Sequence, residues 1–243
     1  MVFGFQFNGR HSDDFNLTIN NKDIPLMPPV SNRSQDISGQ DGAWDYGASF
    51  GAKPIPVDCT IEGEDLTDVR KIARRLSGWL NPKNGAQQLI FDDEPDILYF
   101  ARLESEITLD QIVYYGEFTL NFICYDPYAY GTEIRRGNFS NSFTVDHSGE
   151  YIAMPLLKIN HTGGAGAVTA TKPDGTQQAL VFTDDSPSGQ YIIDGKKKTK
   201  TVDGEPAYDF VEGHYLFLPK GQNQLANTGN VTRTEIEFRD KYL

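Results

Sequence analysis

Residues 114–125 read YYGEFTLNFICY, and in this stretch Phe118, Leu120, Phe122 and Cys124 alternate with Glu117, Thr119, Asn121 and Ile123. A period of two is the mark of a strand that buries one face and turns the other to water. The next six residues, DPYAYG from Asp126 to Gly131, bring in Pro127 and Gly131, which end pairing and open a linker. Upstream, Gln88–Phe91 and Leu98–Glu104 read as two further strands. Ile55, Val57, Cys59 and Ile61 alternate with Pro56, Asp58, Thr60 and Glu62, so a fourth strand with one buried face lies before them.

Between Ile61 and Gln88 the period changes. Leu66, Val69, Ile72, Ala73, Leu76 and Leu80 fall on one stripe at helical spacing, Asp65 or Thr67 can cap the start, and Asn81-Pro82 supplies the stop. This is the one helix the sequence predicts. Its basic residues Arg70, Lys71, Arg74 and Arg75 occupy the polar side, as a solvated or subunit-contacting face does. At the beginning of the chain, Phe3, Phe5 and Phe7 alternate up to Asn8-Gly9 and predict a short opening strand. Residues 22–56 are rich in Pro, Gly, Asp and Ser, interrupted by Trp44, Tyr46 and Phe50. A long arm or hairpin outside the core fits that texture. Its aromatics are read either as a tucked cluster or as subunit-interface candidates, because interfaces enrich Trp and Tyr.

Past Gly137 the chain becomes a series of apolar stretches separated by turn signals at His147-Ser148-Gly149, Gly163-Gly164, Pro173-Asp174-Gly175, Ser186-Pro187-Ser188-Gly189, Asp203-Gly204 and Gly221. Short strands at that spacing predict an all-β sandwich of about 100 residues. The fold class is therefore mainly β with one α-helix. Two domains are expected, 1–135 and 136–243.

Composition narrows the function. The 243 residues carry 22 basic and 34 acidic side chains, a net charge of −12, which repels phosphate backbones and anionic headgroups. Sequence-specific nucleic-acid binding and membrane association are not expected. The opening MVFGFQFNGRHSDD lacks the pattern of a signal peptide, and no apolar stretch approaches spanning length. Cys59 and Cys124 sit in alternating apolar patterns and are expected to be free and buried.

No enzyme is expected. His11, His147, His161 and His214 are scattered without metal-ligand spacing, and no nucleophile elbow, P-loop or dinucleotide fingerprint occurs. Asp92, Asp93, Glu94 and Asp96 form the densest acidic cluster, but they lack the order of a calcium hand and surround Pro95 as turn residues do. Neither catalytic residues nor a metal or cofactor site is assigned.

Five segments in collinear order resemble the distal tail proteins of siphophages and related tail-like particles. They are FGFQFNG near the start, ISGQDGAWDYG (37–47), LSGWLNP (76–82), LIFDDEPDILYFARL (89–103) and FTLNFICYDPYAYG (118–131). In the second half PLLKINHTG (155–163), YIIDGKKK (191–198) and GHYLFLPKGQNQL (213–225) resemble that family's galectin-like terminal domain. The resemblance implies a first domain, a β-sandwich with helix and hairpin arm, that forms a homo-hexameric ring, with galectin-like sandwiches displayed around its rim. It also implies a place at the distal end of a virion tail, with the tail tube protein, the tail-tip protein and receptor-binding or baseplate proteins as partners, and no cofactor.

The alternative is a carbohydrate-binding module for cell-wall attachment, for which Tyr151, Tyr191, Tyr208 and Tyr215 could serve as stacking platforms. Residues 1–136 hold 12 basic and 21 acidic side chains, a net of −9, against 10 and 13, a net of −3, in residues 137–243. An acid excess in a ring through which DNA passes keeps phosphates off the wall. Asp92, Asp93, Glu94 and Asp96 are accordingly channel-lining candidates.

Overall fold

A computed structural model describes residues 4–104, 110–112 and 115–243; Phe3 and Tyr114, both read as strand residues, lie outside them. The chain divides into two compact units, Met1–Ala129 with Leu243 and Tyr130–Tyr242.

The first unit contains β1 (Phe5–Phe7), β2 (Arg10–His11), β3 (Leu17–Lys22), β4 (Val30–Asp36), β5 (Ala43–Phe50), β6 (Lys53–Glu62), α1 (Leu66–Trp79), β7 (Gln87–Phe91), β8 (Ile97–Leu103), β9 (Asp110–Ile112) and β10 (Tyr115–Cys124). Its main sheet runs β2-β1-β7-β8-β10-β6-β3, with β9 beside β10. The longest ladder joins β10 to β6 from Tyr115↔Glu62 to Cys124↔Lys53. Register places Phe118, Leu120 and Phe122 opposite Cys59, Val57 and Ile55, all buried, so the two alternating patterns meet on one face. Ile123 departs from the pattern: the sequence places it on the polar face, yet it is buried too, at the end of β10 where β8 pairs alongside (Ile123↔Arg102).

Asp65 caps α1 by accepting the Asp68 backbone N–H at 2.8 Å. Val69, Ile72, Leu76 and Trp79 form its buried stripe. Leu66, assigned to that stripe by its spacing, is instead exposed in the first turn, and Trp79 takes the inward position at the other end. Its indole stacks on Phe15 (4.4 Å between centroids) and Phe5 (5.6 Å) and meets Phe7 edge-on (6.1 Å). Nε1–H donates to the Phe7 carbonyl at 2.8 Å, satisfying the one polar atom of a buried ring. Phe122 of β10 packs on Phe5 and Phe7 from the other side.

The short β11 (Ala129–Gly131) straddles the boundary, and the second unit contains β12 (Arg135–Phe139), β13 (Ser142–His147), β14 (Leu156–Thr171), β15 (Gln177–Phe182), β16 (Ser188–Asp194), β17 (Thr199–Val202), β18 (Glu205–Pro206), β19 (Val211–Glu212), β20 (Gly221–Phe238) and β21 (Lys241–Tyr242). Two strands are long, β14 with 16 residues and β20 with 18, and they pair with each other across register shifts between Asn160 and Gly166. On one side of that irregularity β14 pairs β16 and β20 pairs β12; on the other β14 pairs β15 and β20 pairs β13. Bent strands shared by two sheets are how a sandwich turns its corners. Leu157, Ile159, Val168, Leu180, Tyr191, Leu225 and Ile236 lie in the core that results.

Gly163-Gly164 is therefore not the turn between two short strands that the sequence suggests. Both glycines have positive φ (93° and 84°) inside one continuous strand, which lets β14 bend at the bulge. Pro173-Asp174-Gly175 and Asp203-Gly204 do separate successive strands.

Trp79→Ala is expected to cost about 3–5 kcal/mol in urea unfolding, the usual range for deleting a buried aromatic; a loss under about 1 kcal/mol would show that the helix does not depend on it. Leu120→Asp places an unpaired charge in the core and is expected to abolish soluble expression, whereas Asn121→Asp, on the exposed face of the same strand, stays soluble.

Candidate functional site

The first unit presents two features outside its packed core. One is the hairpin of β4 and β5, a two-stranded sheet that pairs with no other described strand. Its register runs from Val30↔Phe50 to Asp36↔Ala43 with a bulge between Asn32 and Ser34. Across from the bulge, Gly47 takes φ 89° and its N–H donates to the Asp45 carboxylate at 2.7 Å. That conformation suits glycine and sets the twist of the arm. Every β4 residue is exposed, as is every β5 residue before Phe50.

Trp44 and Tyr46, 54% and 59% exposed, sit two apart on one strand and so share a face. Each polar atom is tied within the arm: Trp44 Nε1–H donates to Gln40, and the Tyr46 hydroxyl to Gln35. Phe50 differs. It is half-buried at the root of the arm, edge-on to Tyr128 at 6.4 Å. Leu26, Met27, Val30 and Ile37 add exposed apolar surface in and before the hairpin. A two-stranded hairpin is marginal by itself in water, and a large exposed apolar patch marks a surface made to be covered.

The second feature is the acidic turn between β7 and β8. Asp92 Oδ2 accepts the Gly4 backbone N–H at 2.7 Å, and Asp92 Oδ1 meets His11 Nε2 at 3.0 Å. A side chain at Gly4 would collide with His11, Ser12 and Asp92 itself, so the opening strand is seated closely against this turn. Asp93 pairs with Lys22, whose ammonium also lies over the Phe91 ring at 4.2 Å. Two of the four carboxylates thus anchor neighbouring strands, while Glu94 and Asp96 are exposed on the turn. The anchoring role escaped the sequence reading because it joins residues more than 80 positions apart; the proximity of His11 to the Phe5–Phe7 strand was its only visible hint.

The basic residues of α1, Arg70, Lys71, Arg74 and Arg75, are all exposed. Arg75 donates to the Asp14 carbonyl at 3.1 Å and, with Arg10, flanks the Phe15 ring. Cys59 and Cys124 are free and buried, and burial pushes both thiols up to about 12. Among the described residues no His, Cys, Asp and Glu group is placed to hold a metal ion. In the second unit Tyr191 is fully buried and packs edge-on to Phe182, while Tyr151 and Tyr215 are half-buried beneath Lys241 and Lys198. Tyr208 alone of the four sugar-platform candidates is exposed.

Three comparisons bear on this architecture. Residues 13–124 match the phage tail protein RIFT-related domain. The distal tail protein of Bacillus phage SPP1 is 26% identical over 158 residues, 65% of this chain and 62% of that protein, so the chain aligns with rather less than two thirds of its relative. An uncharacterized SPbeta prophage-derived protein of Bacillus subtilis (strain 168), YomH, is 27% identical over 203 residues, 78% of this chain and 75% of the relative. Among solved structures, the SPP1 Dit protein, described as a paradigm of the hub adsorption apparatus in phages infecting Gram-positive hosts, superposes with a TM-score of 0.78 at 22% identity over the whole of both chains. A chain of the phage P2 baseplate in its activated conformation with Ca superposes with a TM-score of 0.54 at 11% identity over 98% of each. Together these comparisons show a chain similar in sequence to a distal tail protein and alike in fold to the SPP1 Dit protein.

The His11–Asp92 pair gives a pH test. Burial alone pulls the imidazole down, but the hydrogen bond to Asp92 and the charges of Asp92, Asp13 and Asp14 outweigh it, leaving His11 above its ordinary 6.5. The folded state then binds the proton more tightly than the unfolded chain does. The pair's stabilisation is fully present below about pH 6.5 and is lost as pH rises through the raised value. His11→Gln should therefore lower the melting temperature of the first unit more at pH 5.5 than at pH 8.5; an equal loss at both would show the histidine to be neutral in the fold.

Proposed function

We propose that this chain is a structural tail protein, a distal tail hub whose first unit assembles into a homo-hexameric ring. The ring joins the tail tube protein to the tail-tip protein and lets DNA pass. The reading rests on the likeness to distal tail proteins and on one observation above others: an arm that leaves Trp44 and Tyr46 in solvent. In a lone chain that exposure is costly, at roughly 25 cal/mol per Å² of apolar surface left wet. Between copies of a ring it becomes contact area, with aromatics where interfaces enrich them. Phe50, at the root, holds the arm rather than meeting a neighbour.

The lumen of such a ring carries the first unit's acid excess, and like charge keeps the genome from settling on the wall. With Asp92 and Asp93 paired to His11 and Lys22, Glu94 and Asp96 are the residues of that turn able to present unpaired charge to passing DNA. The second unit is displayed outward as a galectin-like sandwich for baseplate or receptor-binding partners. A sugar-binding role keeps only Tyr208 among its exposed platforms and has no further feature in its favour. Chemistry is not part of this role, and the chain acts as a virion component at the distal end of the tail.

Size-exclusion chromatography with light scattering tests the reading. Full-length chain and a fragment of residues 1–135 are both expected to form the same closed oligomer, and Trp44→Ala with Tyr46→Ala to weaken it at least tenfold while leaving each unit folded. A monomeric fragment beside an oligomeric full-length chain would move the interface to the second unit.

A further inference from the structure

His147 ends β13 and is fully buried. One of its ring nitrogens is committed: Nε2 accepts the Lys241 backbone N–H at 3.3 Å. That bond needs an unprotonated Nε2, so the proton of the neutral imidazole sits on Nδ1. Nδ1–H completes no hydrogen bond among the described residues, although the Pro219 carbonyl lies near it. The ring meets Phe238 edge-on, 6.0 Å between centroids.

The charges around this ring are already engaged. Asp240, itself buried, places Oδ1 3.8 Å from Nε2, but the same oxygen accepts the Ser148 backbone N–H at 3.0 Å, and Oδ2 pairs with Arg135 of β12 at 2.7 Å. Arg135 opposes a second cation there, while Asp240 and the exposed Asp146 favour one. Glu150 and Lys220, which face the neighbouring Tyr242, pair with each other. Burial outweighs the carboxylates and holds the imidazole below its ordinary 6.5.

These groups converge on the closing strand β21. The Asp240 carbonyl accepts the Gly131 N–H at 2.9 Å and the Lys241 carbonyl accepts the Tyr151 N–H at 2.9 Å. Gly149 is pressed so closely against the strand that a Cβ there would stand 2.3 Å from the Lys241 carbonyl oxygen and 2.9 Å from His147 Nε2. A proton added to Nε2 in this space would set two N–H groups against each other and draw Asp240 away from Ser148 and Arg135.

We propose that His147 is an acid-sensitive latch for residues 240–242: neutral, it holds them against β13 and residues 149–151, and once protonated on Nε2 it lets them go. Release frees Arg135 from Asp240 and uncovers the backbone of residues 149–151. The released state carries a solvated imidazole of ordinary pKa, so the latch is fully closed above about pH 6.5 and weakens as pH falls below it, toward the lowered value of the closed state. This is the reverse of the His11 pair in the first unit. His161, the other buried histidine, accepts the Gly163 N–H on Nδ1 and stacks on Phe182 at 4.5 Å, so its protonation would load the core of the second unit and not the closing strand.

Hydrogen exchange in the full-length protein tests the latch. Between pH 7.5 and pH 5.0 the protection factors of the Lys241 and Tyr151 amides are expected to fall about tenfold, while those of the core residues Val168 and Leu180 fall less. The His147 ring nitrogens should report the Nδ1-protonated tautomer at pH 7.5 and charge over the same range in which Lys241 loses protection. His147→Gln, whose carbonyl oxygen can accept from Lys241 but takes no proton, should keep Lys241 equally protected at both pH values. His161→Phe should leave the wild-type response at Lys241 intact and remove any loss in the core. A pH-independent Lys241 protection factor in the wild type, an Nε2-protonated tautomer at pH 7.5, or a response at Lys241 that disappears in His161→Phe overturns the latch. The same acid response in His147→Gln overturns it too. Should that variant not fold, the wild-type exchange and the ring titration decide.

Discussion

Trp79 holds the first unit together. Its indole sits where α1 ends, stacked between Phe5 and Phe15, with its N–H bonded to the Phe7 carbonyl, so one side chain ties the helix to the opening strand and to the turn that follows it. Phe122 brings the longest ladder, β10 on β6, into the same cluster. Everything the unit shows to the outside is placed by that arrangement. The acidic turn is seated on the opening strand through Gly4 and His11, and the hairpin leaves the core between β3 and β6, both strands of the sheet that the cluster closes.

A core of this density explains how so exposed an arm can be kept. Stability in a small domain is a few kcal/mol left over from much larger opposing terms. A hairpin with wet Trp and Tyr contributes nothing to that remainder in a lone chain. That exposure becomes sensible if the free chain is not the working state. In the proposed ring, contact with other chains would cover the aromatics, and the aromatic core would keep each copy folded until then.

The readable parts of the sequence were those where one chemical period governs a local segment. Ile55–Ile61 and Phe118–Cys124 alternate cleanly, and their facing residues are buried in register. The helix showed its period and its cap, but Leu66 is exposed and Trp79, outside the predicted stripe, is buried, because tertiary contact, not spacing, decides which end of a stripe is covered. Ile123 and the Gly163-Gly164 pair were misread for a related reason. A strand buried on both faces at one end, or bent through a bulge, keeps the composition of an edge or a turn. The arm was visible in its Pro, Gly and aromatic texture. The Asp92 anchor was not, since it depends on residues distant in the chain.

The central claim is that the hairpin is an intersubunit element of a ring. The most direct measurement is a three-dimensional reconstruction of the full-length oligomer by electron cryomicroscopy. The account predicts six copies around an open channel, with Trp44 and Tyr46 of each buried against the next copy and acidic side chains around the lumen. Hairpins projecting freely into solvent from the assembled ring, or a channel lined by Lys and Arg, would contradict it.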